Sequence, residues 1–195
     1  DMCTIVNGKS GKCSENCKFC AQSAHHKTCA EVYPLLTPDE ILADALKVDK
    51  RVLRYSIVTS GKRLSDKEVD IMCEAVRKLK ENTNFSVCVS FGLLNKDQFI
   101  KLKEAGVSRV HNNLETSERF FPSVCTTHTY QEKIDAINAA KSVGLVNVHG
   151  DKHILALLNS SCLLLEGQKK ILLNIFCELL DAEKENFFFI LKVDI

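Results

Sequence analysis

Cys13-Ser14-Glu15-Asn16-Cys17-Lys18-Phe19-Cys20 carries three thiols at a three-then-two spacing. A compact loop with that spacing can turn all three toward one metal centre, and thiolates are soft ligands that select iron-sulfur clusters and zinc. No fourth thiol continues the spacing, so a four-iron cluster held here keeps one iron open to a small-molecule ligand. Two other readings compete. A zinc site takes four protein ligands, and His25, His26 or Cys29 would have to supply the fourth. A thioredoxin-like pair needs Cys-x-x-Cys opening a helix after a strand, which Cys17 and Cys20 fit only loosely. The open-iron cluster uses all three thiols and is the favoured reading.

Outward from the loop, strands and helices alternate. Met2 to Val6 reads as a short strand, and Asn7-Gly8-Lys9-Ser10-Gly11 is the turn that delivers the chain into the cysteines. Thr37-Pro38-Asp39-Glu40 is a capping box with proline at the first helical position, opening a helix through Lys47 with Ile41, Leu42, Ala45 and Leu46 inward. Val52 to Thr59 reads as a strand buried on both faces. A second capping box, Ser65 to Glu68, starts a helix to Lys80 with Val69, Met72, Cys73, Val76 and Leu79 along one stripe. Phe85 to Ser90 is the next strand, Asn95 caps a helix that Gly106 closes, and Val107 to Asn113 is the fourth strand. After a long connection, Thr129 opens a further capped helix that ends at Gly144, and a fifth strand begins near Leu145. Such alternation implies a parallel sheet with helices outside it. Periodicity does not choose between an open doubly wound sheet and a closed barrel.

The chain has 195 residues, 45% of them hydrophobic and 26% charged, which fits one soluble globular core. A net charge of +1 with scattered Lys and Arg argues against a nucleic-acid partner. Apolar runs near Leu163 and Phe187 are broken well short of the ~18 residues a membrane span needs. Ten cysteines without paired regularity and without a secretory leader point to a reducing cytoplasm rather than a disulfide framework.

Several segments together carry a family resemblance. They are the cysteine loop with an aromatic before its last thiol, Cys20-Ala-Gln-Ser-Ala-His-His-Lys-Thr28, Arg54-Tyr-Ser-Ile-Val-Thr-Ser-Gly61, Val87-Cys-Val-Ser-Phe-Gly92, His111-Asn-Asn-Leu-Glu-Thr-Ser117 and Thr126-Thr-His-Thr-Tyr-Gln-Glu132. In this order they resemble the biotin synthase branch of the radical S-adenosylmethionine (SAM) superfamily, from about the first residue to Gly144. The resemblance implies a TIM-type (β/α) barrel, which in full form takes about 250 residues and eight units. This chain has room for five or six, so an incomplete barrel is expected.

The same resemblance implies a 4Fe-4S cluster on Cys13, Cys17 and Cys20, with SAM on the open iron. It places Phe19 beside the adenine of SAM, although a loop anchor is an equal reading, and it assigns Asn113 and Glu115 to ribose or substrate hydroxyls. It further implies dethiobiotin as substrate, a reductase or flavodoxin-type electron donor, and an auxiliary cluster, 2Fe-2S in the family. Cys88 holds the third-strand ligand position for that cluster. Ser56 stands where the second-strand cysteine usually is, and Cys125 is a candidate substitute. A homodimer is compatible with these readings. Cys3, Cys29, Cys73, Cys162 and Cys177 lack a partner at useful spacing and read as core or loop residues. His25 and His26 read as exposed loop residues, His128 as opening onto the mouth, and Lys133 as part of a solvated face. Two alternatives remain open: a related radical SAM enzyme without sulfur insertion, such as a hydrogenase-cofactor maturase, and a zinc-binding structural module.

Past Gly144 the local consistency ends. The chain reads Leu145-Val-Asn-Val-His-Gly150-Asp-Lys-His, leucine and isoleucine then fall on all sides from Ile154 to Leu180, and Phe187 to Leu191 is an aggregation-prone run. The expected division is therefore a radical SAM core over 1–150 and a divergent helical or apolar tail over 151–195, from a shifted frame or truncated copy. On that expectation the chain alone is poorly soluble and at best cleaves SAM without making biotin.

Overall fold

Five strands form one parallel sheet in the order β1-β2-β3-β4-β5: Cys3–Lys9, Arg54–Thr59, Ser86–Ser90, Val107–His111 and Val146–Val148. Between them run α1 (Pro38–Ala45), α2 (Asp66–Asn82), α3 (Lys96–Ala105), the short α4 (Phe121–Val124) and α5 (Tyr130–Ser142). This is a computed structural model that describes residues 2–148. The expectations for the 151–195 tail, including Cys162, Cys177 and the 187–191 run, lie outside the described residues. Residues 2–114 and 118–148 fall in one compact unit, and Glu115 to Ser117 belong to a separate one.

The strand order decides between the two architectures. Right-handed crossovers between strands that neighbour one another in sequence place each helix on the same face. A doubly wound sheet must reverse its strand order to cover both faces, and no reversal occurs here. The sheet is therefore an incomplete (β/α) barrel.

The helices form because their ends are satisfied locally. Thr37, Ser65, Asn95 and Thr129 each accept from the backbone N–H three residues on, and Glu40, Glu68, Gln98 and Glu132 reach back to the cap. Their apolar stripes bury Ile41, Met72, Val76, Leu79, Phe99 and Leu102 completely against Val6, Tyr55, Ile57, Val87 and Val89 of the strands. Tyr55 stacks on Phe85 at 5.7 Å, and its hydroxyl donates to Asp44 Oδ2 at 2.5 Å. Alternation along the same strands turns Cys3, Ser56 and Cys88 to the opposite, inner face.

One local reading needs correction. β1 continues to Lys9 instead of turning after Val6, because Asn7 pairs with Val58 and Lys9 with Thr59 across a bulge at Gly8. A side chain at Gly8 would put its Cβ 3.0 Å from Ile57 Cγ2, so the glycine there serves close strand approach. The turn itself falls at Gly11 and Lys12, with φ of 75° and 50°. The connection after β4, read only as long, contains the short helix α4, with Pro122 in its first turn. Among the described residues, no helix is long and apolar enough to cross a membrane.

Candidate metal centre

The cysteine loop is folded on itself by its own backbone. Cys13 N–H donates to Gln22 O at 2.9 Å, Ala24 N–H to Cys13 O at 2.8 Å, and Cys20 N–H to Cys17 O at 3.0 Å. Gln22 Oε1 accepts from Ser10 Oγ at 3.0 Å and from the Gly11 N–H, which ties the end of β1 to the far side of the loop. Ser23 Oγ donates to Glu15 O at 2.6 Å. His25 and His26 are fasteners of this loop: each Nε2 donates to a loop carbonyl, of Ser14 and of Cys17, both at 3.0 Å.

The loop then docks on a segment more than a hundred residues away. Asn16 Nδ2 donates to Thr126 Oγ1 at 2.7 Å, Thr126 N–H donates to Asn16 Oδ1 at 2.9 Å, and Asn16 N–H donates to Thr127 Oγ1 at 3.1 Å. Lys18 N–H donates to Val124 O at 3.0 Å. From the loop after β2, Lys62 reaches Glu132 Oε1 at 2.8 Å and Thr127 O at 3.4 Å. The loops after β1, β2 and β4 therefore meet at the carboxyl ends of the strands, where (β/α) barrels bind ligands.

A chain of chemically active groups runs through this junction. Cys17 Sγ donates to Cys125 Sγ at 3.6 Å, Cys125 Sγ lies 3.3 Å from His128 Nδ1, and that nitrogen donates to Glu15 Oε2 at 2.6 Å. Cys125, His128 and Glu15 are all buried, and Phe121 packs edge-on to the His128 ring at 5.5 Å. Burial pushes the Cys17 thiol up to about 12, and its bond to Cys125 adds to the rise. For Cys125, burial raises the pKa, but hydrogen bonds from Thr127, His128 and Cys17 outweigh it and bring the thiol below its ordinary value. Burial would also raise Glu15, but its bonds to His128, Thr127 and Ser14 hold the carboxyl below the usual range.

The predicted site residues separate into three places. Cys13 is buried, Cys17 and Cys20 are half-buried, and Phe19 between them is 59% exposed, so it is no loop anchor. Among the described residues, the group whose ligand atoms all lie within 4.8 Å of one another is Cys17, Cys125 and His128. Cys125, expected beside Cys88 and Ser56, stands against Cys17. On the inner face, Ser56 Oγ lies 3.5 Å from Cys3 Sγ and is hydrogen-bonded to Cys88. Burial raises the Cys88 thiol, with the Ser56 bond opposing. Cys3, read as an isolated residue, belongs to this inner cluster, because the parallel register sets β1 beside β2.

Near the end of β4, Asn113 is exposed and its carbonyl accepts from Lys133 Nζ at 2.7 Å, so Lys133 is not simply on a solvated face. The neighbouring Asn112 is buried, and its side-chain nitrogen has no hydrogen-bond partner among the described residues. Glu115 is half-buried with a φ of 67°. Glu15 and Asn16, which do most to seat the loop, were missed by sequence reasoning. Their position between the cysteines of the loop was the available signal.

A parallel (β/α) sheet with a three-cysteine loop after its first strand defines the class. The family model for the radical SAM superfamily matches residues 9–156, and the chain belongs to that superfamily. Within it, the chain is similar to biotin synthases. It is 58% identical to the biotin synthase of Akkermansia muciniphila over 146 residues, covering 74% of this chain and 46% of that protein. The Alkaliphilus metalliredigens enzyme is 52% identical over 145 residues, covering 74% of this chain and 46% of its own length. The chain thus spans about half the length of the curated relatives it matches. Among solved structures, methylornithine synthase PylB has a TM-score of 0.64 at 19% identity, covering 83% of this chain and 50% of PylB. The hydrogenase maturase HydG of Carboxydothermus hydrogenoformans has a TM-score of 0.65 at 15% identity, covering 80% of this chain and 38% of its own. At such identities these two support the fold alone.

Proposed function

We propose that the chain is a biotin synthase-type radical SAM enzyme, in which Cys13, Cys17 and Cys20 hold a 4Fe-4S cluster and dethiobiotin is the substrate. The observation that carries this reading is the three-thiol loop, closed on itself and seated on residues 124–127 at the carboxyl ends of the strands. Similarity to proteins named biotin synthase supports the substrate class.

The residues present fit such a group. Three soft donors come from one short loop, Phe19 offers an exposed ring beside them, and the buried Asn112 amide nitrogen after β4 is a donor unused among the described residues. When bound, the cluster supplies the electron, drawn from a flavodoxin-type or other reductase, that breaks a carbon–sulfur bond of SAM. The protein's own contribution is position and exclusion of water. Asn16 and Lys18 hold the loop in place, Glu15 and His128 fill the space behind Cys17, and Phe19 and Asn113 are the contacts for SAM. Glu115 keeps the same role from the resemblance alone.

Sulfur insertion needs an auxiliary centre, 2Fe-2S in the family, and Cys88 is its ligand here with Ser56 beside it. The hydroxyl of Ser56 between Cys3 and Cys88 favours a second reading, radical chemistry without sulfur insertion, as in a hydrogenase-cofactor maturase-like enzyme.

Anaerobic reconstitution of the full chain, followed by iron analysis and assay of 5'-deoxyadenosine and biotin, tests both. About four irons are expected, lost with the iron-sulfur absorption in the Cys13→Ala, Cys17→Ala and Cys20→Ala variants. A triple variant that kept the iron and the absorption would overturn the reading. 5'-Deoxyadenosine formed only when dethiobiotin is present, with or without biotin, supports the first substrate assignment, and 5'-deoxyadenosine formed regardless of dethiobiotin supports the second.

A further inference from the structure

We propose that the cluster-free chain binds zinc through Cys17, Cys125 and His128, with Glu15 completing the set, and that zinc and the iron-sulfur cluster exclude one another because they share Cys17. The geometry points to this. Two thiolates at ~2.3 Å from one tetrahedral zinc stand about 3.8 Å apart. Cys17 and Cys125 Sγ are 3.6 Å apart, and the Cys125 Sγ to His128 Nδ1 distance of 3.3 Å is close to the edge of the same tetrahedron. All three ligand atoms lie within 4.8 Å of one another. Glu15 Oε2, now 2.6 Å from His128 Nδ1, is the nearest oxygen to take the fourth position once that nitrogen gives up its hydrogen.

The site is also built. Cys125 is 3% exposed, Glu15 7% and His128 8%, in a fold that elsewhere reserves such burial mainly for apolar side chains. Asn16 clamps Thr126 and Thr127, so the segments that carry Cys17 and Cys125 are held together without metal. Two thiolates with an imidazole suit zinc better than magnesium or calcium. Cys13 and Cys20 take no part, just as Cys125 and His128 take no part in the proposed cluster. Zinc held here would keep Cys17 covered and the loop seated until a cluster replaced it.

Because only Cys17 is common, single variants separate the two occupants. The metal-free, reduced full chain is titrated anaerobically with zinc against a chromophoric chelator, and with cobalt as a spectroscopic probe. One equivalent is expected, with thiolate-to-cobalt charge transfer. Cys125→Ser and His128→Gln should each weaken zinc roughly 100-fold or more, since even residues that only support metal ligands cost up to that much. Cys20→Ala should leave zinc affinity unchanged while losing iron-sulfur absorption, and Cys125→Ser should do the reverse. Zinc loading should also block cluster reconstitution in the unmodified chain. Zinc lost in Cys20→Ala, zinc held equally by Cys125→Ser, or no zinc bound by the unmodified chain would each overturn the proposal. If zinc follows this pattern and no variant carries a cluster, the cluster reading fails and the zinc site stands.

Discussion

The outer face of the sheet and the mouth at its carboxyl end are both buried, but by opposite chemistry. Outside, Ile41, Met72, Leu79 and Leu102 are sealed against Tyr55, Ile57 and Val87, and the contacts are apolar and non-directional. At the mouth, Glu15, Ser23, Cys125 and His128 are nearly as buried, but each is held by a directional bond. The first region supplies stability and tolerates conservative exchange. The second is polar and costly to bury unless fully paired, so a single lost partner is felt locally.

Breaking the outer face should give the largest effect. Leu79→Ala removes a completely buried side chain between α2 and the sheet, with an expected loss of about 2–5 kcal/mol. Urea unfolding of the full chain checks this, and folded protein below the transition should still load iron. Gly92→Ala comes next and acts on both regions. Gly92 has a φ of 76°, and an added Cβ would fall 2.2 Å from Lys62 O. The cost is about 1–3 kcal/mol, and the strain passes through Lys62 toward Thr127 and Glu132. Iron retention during gel filtration should fall along with the urea midpoint.

Asn16→Ala sharpens the contrast from the mouth side. It deletes the side-chain bonds to Thr126 and Thr127 at a cost of about 1–2 kcal/mol, and far-UV circular dichroism should not change. Cluster loss to a chelator should nevertheless accelerate. If Asn16→Ala lowered global stability as much as Leu79→Ala, the two regions would not be separate.

The smallest effect concerns acid. Partial burial alone would raise the Glu68 carboxyl, but Lys9 at 2.6 Å and the Ser65 cap outweigh it and hold the group below 4.5. A carboxyl depressed in the folded state stabilises above its unfolded pKa, and that contribution is lost as pH falls through the folded value. Glu68→Gln should therefore lower the stability measured in urea at neutral pH by less than about 1 kcal/mol and flatten the acid limb, the difference from the unmodified chain vanishing as pH falls below 4.5.

The helical layer was legible because its signals are local. Thr37-Pro-Asp-Glu, Ser65 to Glu68, Asn95 and Thr129 each name a helix start within four residues, and all four boxes form. Asn7-Gly8-Lys9 reads as a turn because glycine and asparagine favour turns in isolation, whereas here β2 supplies the partners that keep the segment extended. The cysteine spacing marked the three-thiol loop, again from neighbours in sequence. The company of Cys125 did not follow from spacing, since it meets Cys17 across 108 residues. Cys3 and Ser56 meet across 53 in the same way.

By itself the sequence determined the alternation of strands and capped helices, the buried stripes and a loop with three thiols. These follow from hydrogen bonds and apolar periodicity within a few residues of chain. Tertiary structure alone decided that α1, α2, α3 and α5 lie on one face, that Cys3, Ser56 and Cys88 share the other, and that Glu15, His128 and Cys125 converge behind Cys17. The reason is that such encounters depend on which strands neighbour one another and on where their loops meet. Those relations are set by packing the whole sheet, and no single stretch of chain encodes them.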